Sequence, residues 1–234
     1  MRIGNPFEGA GRKIVITGHY GSGKTEFAVS LAMLLSEQSK DELALIDLDI
    51  VNPYFRSRER RDILKEAGIQ VYGSLFDSEV TAEIPALSAN VRAPLEDRNR
   101  RAIIDAGGND SGALVLNQFK KYLTDDDTTV LAVVNANRPE TGNAEGAIAH
   151  ISSIEAATGL QITGIVNNCH LVRETTAETV LKGRELCKKI CGETGRRLWC
   201  DCYPAGIVAP EELSMVSESL MPLGLYMRPS WLDV

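Results

Sequence analysis

Gly18-His19-Tyr20-Gly21-Ser22-Gly23-Lys24-Thr25 decides how this chain is read. The octapeptide follows Lys13-Ile14-Val15-Ile16-Thr17, a short β-branched run that reads as a buried strand. It opens residues 26–37, where Phe27, Leu31, Leu34 and Leu35 recur at helical spacing. The pattern is G-x-x-x-x-G-K-[ST] between a strand and a helix, the setting in which such a loop holds phosphate. Glycines let the backbone turn around an anion so that successive N–H groups aim at its oxygens. The positive end of the helix points at the same place. Gly18, His19, Gly21, Ser22 and Gly23 are therefore expected to line the phosphates. Lys24 would reach the β and γ oxygens, and the Thr25 hydroxyl would join a Mg²⁺ shell.

Outward from the loop, apolar runs and helical patterns alternate. Strands are expected at 43–48, 69–72, 102–105, 130–135, 162–167 and 198–203, and helices at 56–67, 112–123, 144–158 and 177–191. Residues 74–98, with Pro85 and Pro94 and no long period, read as a loop with short helical pieces. Repeated strand–helix alternation predicts an α/β fold: a doubly wound, mainly parallel sheet of seven or eight strands with helices on both faces. No internal repeat or linker divides it, so one domain over 1–234 is expected, with 205–234 as an extension packed on it.

A phosphate loop needs carboxylates to hold metal and water. Asp105 ends the apolar run Ala102-Ile103-Ile104 and precedes Gly107-Gly108, so it is placed at the crevice beyond the strand ends and assigned to Mg²⁺. The Gly108 N–H is a candidate to sense the γ-phosphate. Asp47 and Asp49, two apart, face one side of an extended chain. One would orient the attacking water and the other the metal, or one is a turn residue before Pro53.

Taken in order, the loop, Leu45-Ile46-Asp47-Leu48-Asp49, Ile103-Ile104-Asp105-Ala106-Gly107-Gly108 and Ile165-Val166-Asn167-Asn168 resemble the CobQ/CobB/MinD/ParA group of nucleotide-binding proteins, across roughly residues 13 to 210. The resemblance implies Mg-ATP as ligand and, often, a nucleotide-dependent homodimer. It implies that Asp49 lies by the attacking water and Asp105 by Mg²⁺. It also implies that Asn167 or Asn168 reads the adenine edge, and that Tyr203-Pro204 lines the base pocket. An amide supplies both donor and acceptor to adenine. GTP-binding relatives carry Asn-Lys-x-Asp where this chain has Asn167-Asn168-Cys169-His170, which favours ATP. One departure concerns the lysine that MinD/ParA ATPases place after the first loop glycine. Here that position is His19, so the trans-acting lysine is missing.

Composition bounds the partners. With 25 Lys+Arg against 32 Asp+Glu the chain carries a net charge of −7, which disfavours a DNA partner. No run of about 18 apolar residues spans a bilayer, the tail is not a basic amphipathic helix, and no secretory signal opens the chain, so a cytoplasmic protein without a membrane partner is expected. Five cysteines in the last third fit a reducing compartment. Four of them, Cys187, Cys191, Cys200 and Cys202, could hold a metal if their faces met, although neither pair has knuckle spacing. Arg56 and Arg58 could touch an anion or lie on a solvated helix face. Asn137-Arg138-Pro139-Glu140-Thr141 shapes a second-substrate pocket or simply connects strand to helix. The expected activity is that of a slow ATPase acting as a switch on a partner protein. The rivals are a dethiobiotin-synthetase-like ligase or kinase and a nucleotide-controlled module without turnover.

Overall fold

A computed structural model describes residues 6–38, 41–49, 61–73, 91–108 and 114–227. Its centre is an eight-stranded, all-parallel sheet. The strands are β1 (Lys13–Thr17), β2 (Glu42–Asp47), β3 (Ile69–Gly73), β4 (Arg100–Asp105), β5 (Thr128–Val134), β6 (Gly164–Asn167), β7 (Arg197–Pro204) and β8 (Leu220–Leu223), in the spatial order β3-β2-β4-β1-β5-β6-β7-β8. Among the described residues the α-helices of more than one turn are α1 (Lys24–Gln38), α2 (Arg61–Glu66), α3 (91–96), α4 (Ala144–Thr158) and α5 (Ala177–Thr194).

Strand alternation builds a core on each face. Ile14, Ile16, Leu43, Leu45, Ile103, Leu131 and Val133 point to the face covered by α1, where Phe27, Leu31 and Leu35 are fully buried. Val15, Ala44, Ile46, Ala102, Ile104, Val130 and Ala132 point to the other face, under α4 and α5. Each large apolar side chain so buried contributes roughly 2 kcal/mol. Asn143 caps α4 by accepting from Gly146 N, and Thr176 caps α5 through Thr179 N. Gly159 and Gly195 end the two helices in the left-handed conformation.

One expectation changes. The helix over 112–123 is, where described, a 3₁₀ segment Val115–Phe119 followed by one α-turn, Lys120–Leu123. The three-residue period sets Leu116 and Phe119 on one buried side. The start of the helix over 56–67, and Arg56 and Arg58 with it, lies outside the described residues, as do 74–90; within 74–98 the described part holds α3. Within the expected extension over 205–234, Leu220–Leu223 form β8, an edge strand of the sheet among the described residues. Pro222 is tolerated there because an edge strand leaves one side of its backbone unpaired. Residues 224–227 then return to α1: the Glu26 carboxylate accepts from Tyr226 N at 2.7 Å and Met227 N at 2.9 Å, and Ser30 Oγ accepts from Gly224 N. No described helix is long and apolar enough to cross a membrane.

Candidate phosphate and metal site

The central strand β1 lies between β4 and β5, so the loop that leaves its C-terminal end sits where chain connections diverge to opposite sides, the usual ligand crevice of such sheets. Three loop glycines hold backbone that other residues avoid: φ is 140° at Gly18, 71° at Gly21 and 86° at Gly23. Lys24 starts α1 and is buried, its Nζ folded back towards His19 O at 3.3 Å. Thr25 Oγ1 donates to Asp105 Oδ2 at 2.6 Å, joining the helix start to the end of β4.

Gly108 explains the glycine after that strand. A Cβ there would lie 2.4 Å from Lys24 Nζ, 2.7 Å from Gly18 O and 2.9 Å from Tyr20 N, so only a residue without a side chain lets the β4 loop approach the phosphate loop. Asp47 Oδ1 accepts from Asp49 N at 3.1 Å at the end of β2. Burial, opposed by the charges of Asp105 and Asp49, pulls the Lys24 ammonium below the ordinary lysine range. Burial first, then the Asp47 charge, pushes the Asp105 carboxyl up to about 8, against the Thr25 bond and Lys24. Lys24, Thr25, Asp47, Asp49, Asp105 and Gly108 thus gather at one place.

This donor set fits a hard cation and an anion together. Asp105 Oδ1 and Ser22 Oγ are buried with no hydrogen-bond partner, an arrangement that is costly unless something binds there. Oxygen donors from a carboxylate and a hydroxyl suit Mg²⁺.

The base-side assignments read from sequence look different. Asn167 is fully buried and its amide is turned inward: Nδ2 donates to Val180 O at 2.9 Å and Asp201 Oδ1 at 2.8 Å, while Oδ1 accepts from Cys169 N. A base edge would have to displace those bonds. Asn168 donates through Nδ2 to Ser22 O at 2.7 Å, bracing the phosphate loop from beneath. Pro204 ends β7, three strands from β1 and so about 14 Å across the sheet, with its carbonyl accepting from Ile207 and Val208. His19 donates from Nδ1 to Tyr20 O, sets its ring edge-on to His150 at 5.0 Å and lies 3.9 Å from Glu140. Arg138, left open between pocket and connector, donates from Nε to Gly21 O at 2.7 Å. The thiols do not converge: Cys187 lies in the core on one face of the sheet, Cys200 and Cys202 in that on the other. Among the described residues no group of three or more metal-binding side chains forms.

No protein-family model and no curated protein matches the chain. Solved structures match its fold. The cell division protein FtsY of Thermotoga maritima superposes with a TM-score of 0.53 at 20% identity, over 80% of this chain and 59% of that one. The chloroplast FtsY of Physcomitrella patens gives 0.53 at 19%, over 84% and 59%. FlhF complexed with GMPPNP and Mg²⁺ gives 0.53 at 16%, over 81% and 64%. The chain therefore spans about three-fifths of these proteins. What the likeness shows is the fold: a P-loop NTPase-type parallel sheet with helices on both faces.

Proposed function

We propose that the crevice binds Mg²⁺-ATP and hydrolyses it slowly, with the two nucleotide states switching contact to a partner protein. The observation that carries this reading is the constellation in which Lys24, the Thr25–Asp105 hydrogen bond and the Gly108 approach meet at one loop. Thr25 and Asp105, with Asp47 behind, would hold the metal, which neutralises phosphate charge and orients the γ-phosphoryl group. Lys24, whose Nζ donates to His19 O at 3.3 Å, would swing onto the β and γ oxygens. The loop N–H groups from Gly21 to Thr25 fix the β-phosphate, and Gly108 N–H stands by the γ-phosphate. Asp49 orients a water for in-line attack. No step needs a covalent enzyme intermediate, so the chemistry is positioning and charge stabilisation.

ATP is preferred because no carboxylate occurs in Asn167-Asn168-Cys169-His170 to accept from guanine N1 and N2. GTP is the second reading, supported by FlhF having been solved with GMPPNP and with GTP. Membership of the MinD/ParA group stays part of this proposal, as does a homodimer, although His19 in place of the crossing lysine removes one contact such a dimer would use. The test is phosphate release by the purified full chain with Mg²⁺ and ATP or GTP alone. Slow release faster with ATP, lost on chelation, supports the reading. Release only after a small-molecule extract is added supports the ligase instead, and faster release with GTP replaces ATP.

A further inference from the structure

β1 divides the crevice into a side with three carboxylates and a side that carries an arginine and a histidine against the loop. On the β4 side stand Asp47, Asp49 and Asp105 around Lys24 and Thr25. On the β5–β6 side stand Asn168, His170 and Arg138, with the Glu140 carboxylate 3.9 Å from His19 of the loop. A triphosphate whose terminal groups face the first side must run its α-phosphate, ribose and base off the loop on the second.

Arg138 is built into that second side. It follows β5 in the turn before Pro139, and its Nε donates to Gly21 O at 2.7 Å across 117 residues of sequence. Its Cζ lies 3.1 Å and its Nη2 3.4 Å from the point where a Gly21 Cβ would be, so the guanidinium rests directly against the phosphate loop. The residue is solvent-exposed, and its terminal amines engage no described residue. His170 stands close by. Its Nδ1 accepts from Val172 N at 3.2 Å, which leaves the ring proton on Nε2. That Nε2 is buried without a partner, 3.6 Å from the Cβ position of Gly23.

We propose that Arg138 grips the nucleoside half of the ligand, its plane fixed by Gly21 O, with one guanidinium face stacked on a purine base and its terminal amines turned to ribose oxygens. His170 Nε2–H lies beside it as a second donor. Arginine is suited to this because its planar, delocalised charge stacks on aromatic rings as an ammonium does not. The inference rests on the nucleotide-binding reading of the same loop, and moves base contact from Asn167 to a side chain that no loop motif marks.

Isothermal titration of the full chain with Mg²⁺-ATP and with Mg²⁺-tripolyphosphate separates the two claims. The wild type is expected to bind ATP at least about tenfold tighter than tripolyphosphate, the worth of a stacked base. Arg138→Ala should weaken ATP about tenfold and leave tripolyphosphate unchanged, with circular dichroism as in the wild type. Arg138→Lys should restore little of the loss. Equal weakening of both ligands would overturn the proposal by making Arg138 a phosphate contact or a loop prop, and so would no weakening of either. If tripolyphosphate binds and Arg138→Ala leaves ATP intact, only this inference fails. If the wild type binds neither ligand, the nucleotide reading fails and takes this one with it.

Discussion

The Thr25 hydroxyl donates to Asp105 at 2.6 Å, tying the first turn of α1 to the end of β4 across 80 residues of sequence. The bond does more than hold two elements together. The bond and Lys24 favour the Asp105 charge, but burial and Asp47 outweigh them and keep the carboxyl protonated up to about pH 8. The carboxyl thus costs stability in the free chain at neutral pH, because folding must protonate a group that is ionised when unfolded. It would give affinity where a cation takes the proton's place.

Asp105→Asn should therefore separate stability from function. Replacing a buried carboxyl that sits beside Asp47 with a neutral amide is expected to raise the thermal midpoint of the nucleotide-free chain by a few degrees, about 1 kcal/mol. The same variant should lose the Mg²⁺ dependence of nucleotide binding. Differential scanning calorimetry with and without Mg²⁺-ATP checks both. A lower midpoint in the free chain at neutral pH would refute the buried-carboxyl account.

Gly108→Ala is expected to be severe for its size. Two of the three atoms within 3 Å of the added methyl, Gly18 O and Tyr20 N, belong to the phosphate-loop backbone and cannot rotate away. The loops must part, at a cost of roughly 1–3 kcal/mol. Nucleotide affinity should fall with stability, whereas Gly192→Ala, where nothing lies within 4 Å, should leave both nearly unchanged. Parallel urea unfolding and titration of the two variants decides it.

Asn167 and Asn168, adjacent in sequence, should differ. Asn168→Ala removes the donor to Ser22 O and loosens the loop, so nucleotide affinity drops about tenfold with a stability loss of about 1 kcal/mol. Asn167→Ala leaves Val180 O and Asp201 without their donor in the interior, and is expected to cost about 1–3 kcal/mol while leaving the affinity of the folded fraction unchanged. Finding the larger affinity loss at Asn167 would return base recognition to that residue.

Acid should reveal His170. Burial, and after it the Arg138 charge, pushes the imidazole down to about 4 from its ordinary 6.5. The unfolded chain takes up the proton as pH falls through 6.5, the folded chain only near 4. The neutral ring's contribution is complete above 6.5 and is lost progressively between those values. His170→Gln should accordingly lose less stability than the wild type between pH 7 and pH 4.5, measured by urea unfolding at each pH. A parallel loss in both would show that the ring titrates normally.

How far the site was legible in the sequence follows from where each signal lies. The phosphate loop could be read because glycines, lysine and threonine stand at fixed offsets between a β-branched run and an apolar-periodic helix. Asp105 could be read because it terminates a strand before two glycines. Strand order could not be read beyond a parallel, doubly wound sheet, and β8 went unmarked because Pro222 breaks a four-residue run. Arg138 had no local signal: its role appears only when the turn after β5 meets Gly21. The Asn pair could not be told apart for a related reason. Two neighbouring amides at a strand end point to opposite sides, and only packing reveals that Asn167 faces Val180 and Asp201 while Asn168 faces the loop.

The central claim, that this loop binds a nucleotide's phosphates through Lys24, is tested most directly by isothermal titration of Mg²⁺-ATP into the wild type and Lys24→Ala. The account predicts saturable binding by the wild type and at least about a hundredfold loss in the variant, with the fold intact by circular dichroism. Equal affinity in the two proteins would contradict it.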